Sequence, residues 1–158
     1  MNPTAASSPD ALFSAASGMA MLGWIALAVS PARARWAGAA RRFAGRVVPL
    51  LLAVVYVVLF ARNGMADGGY GSLAEVRRLF AVPELLTAGW IHYLAFDLFV
   101  GAWIAERSAE LGLPHLALLP LLVLTFLFGP AGLLAFLLLV APVQRWRRRA
   151  AGAAPAAA

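Results

Sequence analysis

The sequence predicts an all-α polytopic membrane protein, a bundle of four transmembrane helices with a short interfacial helix before the third. Hydrophobic residues make up 63% of its 158 residues and charged residues only 13%, whereas soluble domains are about half apolar and a quarter charged. Apolar runs near the roughly 20 residues that cross a bilayer core recur along the chain. Arginines stand at the ends of these runs. Lipid is therefore the expected solvent of this fold.

The first apolar run predicts a helix from Ala11 to Val29. Ser8 is a suitable N-cap, Pro9 suits the first turn, and Pro31 ends the helix. The residues that follow are predicted to form a polar loop rich in arginine. Its arginines are Arg33, Arg35, Arg41, Arg42 and Arg46.

The second span is predicted from about Val47 to Ala61, with Pro49 tolerated in its first turn. Because this run is short for a bilayer, Arg46 and Arg62 are expected to extend their side chains to the two interfaces. After it comes a glycine-rich loop, and glycines clustered in this way indicate an irregular backbone.

A short amphipathic helix is predicted after that loop. Ser72 and Glu75 have the spacing of a capping box, in which each side chain binds a backbone N–H of the first turn. Apolar residues then follow at helical spacing, with Arg77 and Arg78 on the other side. Two interpretations remain open: a helix lying on the membrane surface, or a loop helix packed on the bundle.

The third span is predicted from Pro83 to about Ala105, and the fourth apolar run extends from Leu116 to Val143. The fourth run is longer than one straight span needs and contains Gly129-Pro130 near its middle. Each half is too short to cross, and a reversal at membrane depth would expose unpaired backbone to lipid. The preferred interpretation is one tilted, kinked helix, and the alternative is a re-entrant hairpin.

The distribution of the arginines bears on the choice between one kinked helix and a re-entrant hairpin. With four spans they divide almost evenly between the two sides, which leaves the positive-inside rule without an asymmetry. A hairpin would place the two large arginine clusters on one side.

The predicted organisation is an N-terminal tail over residues 1–10, a transmembrane domain over 11–143, and a basic, alanine-rich tail over 144–158.

The composition also limits the function classes. The formal charge is +6 and there is no cysteine, so disulfides and thiolate metal sites are excluded. Because the arginines flank apolar runs, the expected partners are membrane lipids with anionic headgroups and not nucleic acid. The sequence contains no metal-ligand spacing, phosphate-binding loop or dinucleotide motif, so no metal or cofactor is predicted.

The residues most suited to chemistry lie in the third span, where Asp97 and His92 are close to its midpoint. A mid-membrane aspartate costs about 2.5 to 3.5 kcal/mol on insertion scales, so it is expected to be paired, neutral or functional. The structural alternatives are a protonated Asp97 that joins two helices and a neutral His92 in the core. Five residues correspond to about 140° around a helix, so the two side chains cannot form a close pair.

Aromatic residues divide between the same two faces. Trp90 and Tyr93 share a stripe with Asp97, whereas Phe96 shares one with His92. Both faces can meet ligands only if the third helix is central. Such stripes are usually core packing, and they also suit a long conjugated or isoprenoid ligand. The sequence alone does not separate these interpretations.

Three other sites are weaker candidates for chemistry. His115, at the start of the fourth span, is expected to be interfacial. Glu106 and Arg107, after the third span, are expected to form a solvated pair in a loop that extends to Pro114. Gly129-Pro130 is either a kink or a place where a freed carbonyl lines a cavity.

Three segments together resemble a known family, the small four-helix membrane proteins of the abscisic-acid-deficiency type and their bacterial relatives. They are Gly71–Leu73, Gly89–Gly101 and Leu124–Gly132. The block His92–Asp97 is the most specific part, and the resemblance covers about Leu12 to Val140. The plant members are needed to make neoxanthin from violaxanthin.

The resemblance implies a carotenoid-related role, with an isomerase that opens an epoxide to an allene as the specific form. That step needs an acid at the epoxide oxygen and a base for a proton next to the ring. Asp97 and His92 are the predicted catalytic residues. The predicted substrate-binding residues are Trp90, Tyr93, Phe96 and Thr125.

The chain departs from the plant members in lacking their plastid-targeting segment, and its composition, with arginine in place of lysine and an alanine-rich tail, suggests a bacterium. The expected location is a bacterial inner membrane, and a related isoprenoid or lipid substrate is an alternative to violaxanthin. Two functions of other classes stay open: a non-catalytic membrane protein that holds a lipid or an enzyme partner, and a small proton-coupled transporter.

Overall fold

The computed structural model describes residues 8–152, with side chains as far as residue 142. Over this part the chain contains helices and no strands, which confirms the all-α prediction. Three helical segments are long and apolar enough to cross a membrane, Pro9–Ala28, Ala37–Asn63 and Pro83–Glu110, and they indicate an integral membrane protein. The elements are α1 (Pro9–Ala28), α2 (Ala37–Arg42), a π-helical turn (Phe43–Val47), α3 (Val48–Asn63), α4 (Leu73–Phe80), α5 (Pro83–Glu110), α6 (His115–Phe128) and α7 (Pro130–Gly152).

The first helix begins as its sequence predicts. The hydroxyl of Ser8 accepts a hydrogen bond from the N–H of Ala11 at 3.2 Å, and Pro9 occupies the first turn. The helix then packs closely on α5, because a Cβ atom on Gly23 would lie 2.6 Å from a methyl carbon of Leu98. Small residues at such contacts are the usual means by which membrane helices approach one another.

The second span starts ten residues earlier than predicted, at Ala37, and the predicted loop was wrong for Arg41, Arg42 and Arg46. These arginines lie on the helix. Because arginine is polar, hydropathy alone predicts a loop in this part of the chain. Pro49 is therefore inside a continuous helix. Proline has no N–H, and its ring opposes the carbonyl four residues earlier, here that of Gly45 in the π-helical turn. The wider turn thus coincides with the place where proline disturbs the helix.

The short helix α4 is present with its predicted cap. The hydroxyl of Ser72 accepts a hydrogen bond from the N–H of Glu75 at 3.2 Å. The Glu75 carboxylate accepts from the N–H of Gly71 at 3.0 Å instead of from that of the capping residue. Leu79 is fully buried, while Leu73 is 69% exposed. One face packs on the protein, and a membrane-surface position for the other face stays a prediction.

Helix α5 is the centre of the bundle, because every other described helix packs against it, so the condition for both of its faces to meet ligands is fulfilled. It is 28 residues long and continues to Glu110. The loop predicted from Glu106 is therefore wrong over its first half, and the connection to α6 is limited to residues 111–114. The third span and its polar end form one rigid element.

The fourth apolar run is divided into two helices that fold back on each other. Residues seven apart in a straight helix are about 10.5 Å apart along its axis. A Cβ atom on Gly132 would instead lie 2.5 Å from the backbone nitrogen of Thr125. Such contact requires a sharp reversal between them, at Gly129 (φ 12°, ψ −79°). The single kinked helix was therefore the wrong interpretation.

Contacts with α5 give the direction of α7. Gly129 lies against Asp97, and the ring of Phe136 contacts that of Trp103 with centroids 5.5 Å apart. Helix α7 therefore runs back toward the end of α5 from which α6 came. The predicted count of four transmembrane spans is therefore not confirmed. The alternative interpretation, a re-entrant hairpin, describes this region. The reversal is tolerable because its backbone lies against Asp97 on α5, and irregular backbone is accepted where protein covers it.

The predicted tails lie only partly within the described residues. Helix α7 continues through the basic segment to Gly152, so the chain does not leave its helix at Gln144. The remaining alanine-rich residues, 153–158, and the predicted N-terminal tail as far as residue 7 lie outside the described residues.

Candidate functional site

Asp97 lies midway along α5 and faces the turn between α6 and α7. A Cβ atom on Gly129 would lie 2.8 Å from the Asp97 Cγ atom, so no larger residue fits at the turn without displacing the carboxyl group. Its Oδ2 atom is buried and accepts no hydrogen bond from the residues that the structure describes. A buried polar atom without a partner is costly in a folded protein, and this one marks Asp97 as a functional candidate.

A cavity of about 230 Å³ lies beside Asp97, between α1, α5 and α6. Asp97 is the acidic residue of its lining, and the other lining residues are aromatic or aliphatic. The lining consists of Trp24, Trp90, Tyr93, Leu94, Asp97, Phe126 and Leu127. One acid in an otherwise apolar cavity is the arrangement in which a proton-transfer group meets an apolar ligand.

Two aromatic side chains of α5, those of Trp90 and Tyr93, line the same cavity as Asp97. The Tyr93 hydroxyl donates a hydrogen bond to the carbonyl oxygen of Phe126 at 3.3 Å. That carbonyl is in the last turn of α6, where carbonyls have no partner within the helix. Trp90 stacks on Tyr93, with centroids 5.4 Å apart, and donates its Nε1–H to the hydroxyl of Ser17 at 3.0 Å. These bonds fix both rings beside Asp97.

A second cavity of about 200 Å³ adjoins the first. The two share Trp24 and Phe126, which pack edge to face with centroids 5.5 Å apart. The other lining residues are Met21, Ile25, Ala28, Leu122 and Val123. We call the two cavities together the α1–α6 groove. It is elongated and apolar, and Asp97 lies at one part of its wall.

His92 lies on a different face of α5. It is exposed, and its ring packs between those of Phe96 and Tyr56, with centroid distances of 4.5 and 5.6 Å. Phe96 is itself 58% exposed. The structure therefore brings Asp97, Trp90 and Tyr93 together and leaves His92 and Phe96 outside the groove, as the helical geometry predicted for the two faces.

Thr125, the sixth predicted site residue, is fully buried behind the groove. Its hydroxyl donates to the carbonyl oxygen of Leu121 at 2.7 Å, and its backbone supports Gly132. In this position Thr125 packs against Gly132 on the other arm of the hairpin and does not line the groove.

Sequence reasoning missed Trp24 and Phe126, the residues that connect the two cavities. Neither has a local signal, since an aromatic residue in an apolar run is ordinary. Gly129 offered the one usable signal, because a glycine before a proline in a membrane span indicates an irregular backbone. Its proximity to Asp97 is a long-range contact that the sequence does not show.

The weaker candidates have structural positions. His115 Nε2 is 2.8 Å from the carbonyl oxygen of Ala28, so the start of α6 is tied to the end of α1. The expected pair of Glu106 with Arg107 is wrong, because Arg107 bonds to Glu110 one turn later, at 2.5 Å. Within the described part of the chain, no group of three or more His, Asp or Glu residues could hold a metal ion.

Comparison with known proteins gives one match. Neither the curated proteins nor the solved structures include a match to this chain. The model of one protein family, described as ABA DEFICIENT 4-like, matches residues 11–136. The matched region begins in α1 and ends within α7, so it includes Asp97, the hairpin turn and the α1–α6 groove. Because this match covers most of the chain, the chain belongs to the ABA DEFICIENT 4-like family.

Proposed function

We propose that this chain is a membrane enzyme of carotenoid or related isoprenoid metabolism, which isomerises an elongated apolar substrate in the α1–α6 groove. Membership of the ABA DEFICIENT 4-like family supports the substrate class. The observation that carries the enzymatic part is the Asp97 carboxyl group, with its buried, unpartnered Oδ2 atom, in an aromatic cavity.

The groove suits a polyene in shape and access. Its outer residues are exposed on the protein surface: Met21 is 43% exposed, Ile25 50% and Val123 56%. In a bilayer these side chains meet lipid, so a lipid-dissolved substrate can enter sideways. Trp24 and Phe126 then offer ring faces and edges along the path to Asp97, and a conjugated chain packs well against such rings.

Opening an epoxide to an allene is an isomerisation that moves one proton. The C–H bond next to the ring breaks, its electrons form the new double bond, and the C–O bond of the epoxide breaks as its oxygen gains a proton. We assign removal of the carbon-bound proton to the Asp97 carboxylate and donation to the oxygen to the Tyr93 hydroxyl. Asp97 then returns its proton to Tyr93, which lies one helical turn away, and no oxidant or reductant is needed.

This assignment replaces His92 as the second group. His92 does not line the groove, whereas Tyr93 lines the same cavity as Asp97. General acid–base residues must be within hydrogen-bond reach of the proton that they transfer, directly or through one water. His92 retains a place in the proposal only if the substrate binds on the opposite face of α5.

Expression in hosts that accumulate different carotenoids, with chromatography of the pigments, tests the proposal. We expect a new isomer in a host that makes epoxy-carotenoids. Asp97→Asn is expected to reduce its formation at least about a hundredfold, the lower range for general acid–base groups. Asp10→Asn, an exposed acid at the start of α1, is the matched control. An unchanged pigment profile in every background would contradict the enzymatic function.

A second candidate is a small proton-coupled transporter, favoured by the interrupted helix that faces Asp97. Transporters bind substrates and coupling ions near the bilayer midplane at broken helices of this kind. This function predicts pH-dependent flux in proteoliposomes and no chemical conversion. A non-catalytic carotenoid-binding protein, the third possibility, would retain pigment during purification without changing it.

For location we propose the inner membrane of a bacterium, with the arginine-rich end in the cytoplasm. The direction of α7 carries its basic end to the side that holds α2 and the end of α5. Only Arg62, Arg77 and Arg78 then lie toward the other side, and such asymmetry is what the positive-inside rule requires.

A further inference from the structure

The arginine-rich end of the molecule contains a second kind of cavity, separate from the Asp97 site. Its volume is about 310 Å³, and it lies between α2, the π-helical turn and the last turns of α5. Polar and charged side chains dominate its lining. The lining residues are Gly38, Arg41, Arg42, Arg46, Glu106, Ala109 and Glu110. We call it the arginine cavity.

The charges in the arginine cavity do not neutralise one another by contact. Glu110 pairs with Arg107, and this is the one ion pair among the described residues. Arg41, Arg46 and the half-buried Glu106 thus have no ion-pair partner in the part of the chain that the structure describes. Opposite charges that line one cavity and stay apart leave room for a ligand that carries both a negative group and a hydrogen-bond donor.

A cavity of about 180 Å³ adjoins it, shares Arg46 and Glu106 with it, and is otherwise lined by apolar residues. Phe99 and Trp103 form the outer wall of this second space, and they are 52% and 39% exposed. At its inner wall Gly45 in the π-helical turn lies close to α5, since a Cβ atom there would be 2.7 Å from that of Ala102. The arginine cavity thus adjoins a space with a mainly apolar wall.

We infer that the two cavities form a binding site for a phospholipid whose headgroup carries a hydrogen-bond donor beside its phosphate, as in phosphatidylethanolamine or phosphatidylglycerol. Arg41, Arg42 and Arg46 bind the phosphate, because the guanidinium group matches phosphate oxygens in charge and geometry. Glu106 accepts the headgroup ammonium or hydroxyl. An acyl chain lies along Phe99 and Trp103.

Two features make an amphiphile the occupant and not a free anion. Arg46 and Glu106 belong to both cavities, so the chain attached to a headgroup held there has an adjoining space with an apolar wall to enter. The apolar wall also continues along α5 to the exposed Phe96 and His92. The face of α5 that the Asp97 chemistry does not use therefore becomes the lipid-binding face, and Trp103 has the position of an interfacial aromatic residue.

Native mass spectrometry of the full chain, purified in mild detergent and titrated with lipids of matched acyl chains, tests this site. We expect retention of phosphatidylethanolamine and phosphatidylglycerol, and about tenfold weaker retention of phosphatidylcholine, which has no headgroup donor. The double variant Arg41→Gln/Arg46→Gln is expected to lose retention about tenfold or more, since it removes charge-assisted hydrogen bonds. Arg77→Gln, an exposed arginine on α4, is the control.

Glu106→Gln keeps the shape of the site and provides a second variant if the double variant does not fold. It is expected to abolish the preference over phosphatidylcholine while retaining binding through the arginines. Equal retention by the wild-type chain and the double variant would overturn the site. Thermal stabilisation by inorganic phosphate as large as that by phosphatidylethanolamine would overturn the lipid assignment, because a free anion would then suffice.

Discussion

The two faces of α5 show how five residues of separation can change a side chain's environment. On one face Asp97 is covered by α1 and the α6–α7 turn, within an aromatic groove. On the other, His92 and Phe96 are exposed. The two ionisable groups share a helix without sharing a site. The covered face is suited to proton transfer in a mainly aromatic cavity, and the open face is suited to contact with lipid.

The largest expected loss of pigment conversion follows from a side chain at position 129 that displaces the Asp97 carboxyl group. Gly129→Val would place side-chain atoms where the Asp97 carboxyl group lies. We expect pigment conversion to fall as far as in Asp97→Asn, about a hundredfold, because the carboxyl group would be displaced from the groove. Pigment chromatography measures the loss. Gly18→Val, where the added atoms meet open space, is the control, and normal conversion by Gly129→Val would contradict the contact.

The next effect concerns the hairpin that covers this face. A Cβ atom on Gly132 would meet backbone atoms of Thr125, which cannot rotate away. We expect Gly132→Ala to destabilise the protein by roughly 1 to 3 kcal/mol, the usual cost of overpacking. Thermal unfolding in detergent measures the change. If the arms were parts of one continuous helix, the substitution would be neutral or stabilising, since alanine favours helices over glycine.

A smaller effect is expected within the covered face from Tyr93→Phe. The substitution keeps the ring that stacks on Trp90 and removes the hydroxyl. We expect conversion to fall about tenfold or more while substrate retention is unchanged, because one proton-transfer group is lost. If the phenylalanine variant converted pigment at the wild-type rate, the Tyr93 hydroxyl would have no part in proton transfer, and Asp97 would be the remaining proton-transfer group.

The smallest effect belongs to the open face. His92→Ala is expected to leave conversion within about twofold of the wild type, because its ring lies outside the groove. The same chromatography measures it, with Asp97→Asn in parallel. A loss as large as that of Asp97→Asn would return His92 to the catalytic site and place the substrate on the opposite face of α5.

Local sequence was sufficient for much of this fold. Apolar length predicted α1 and α5, and the Ser72 cap predicted α4, because these signals depend on neighbouring residues. The start of the second helix was missed, since Arg41, Arg42 and Arg46 on a helix resemble a polar loop in hydropathy. Gly129-Pro130 is compatible with both a kink and a reversal, and the contact with Asp97 that favours the reversal lies 32 residues away in sequence.

The candidate site was predictable to the same extent. Asp97 was recognisable because an acid in the middle of an apolar span is rare, and helical periodicity placed Trp90 and Tyr93 beside it. The opposite wall of the groove comes from α1 and α6. Trp24 and Phe126 could not be identified as its members, because their role depends on how three helices pack and not on their local sequence.

The direction of α7 decides where the turn lies and whether the two arginine clusters are on one side of the membrane. The natural chain has no cysteine, so single cysteines at Ala34, Asp67 and Ala150 can be labelled with a membrane-impermeant thiol reagent in intact and inverted vesicles. We expect positions 34 and 150 to react from the same side and position 67 from the other. Labelling of position 150 together with position 67 would contradict it and restore a fourth complete span.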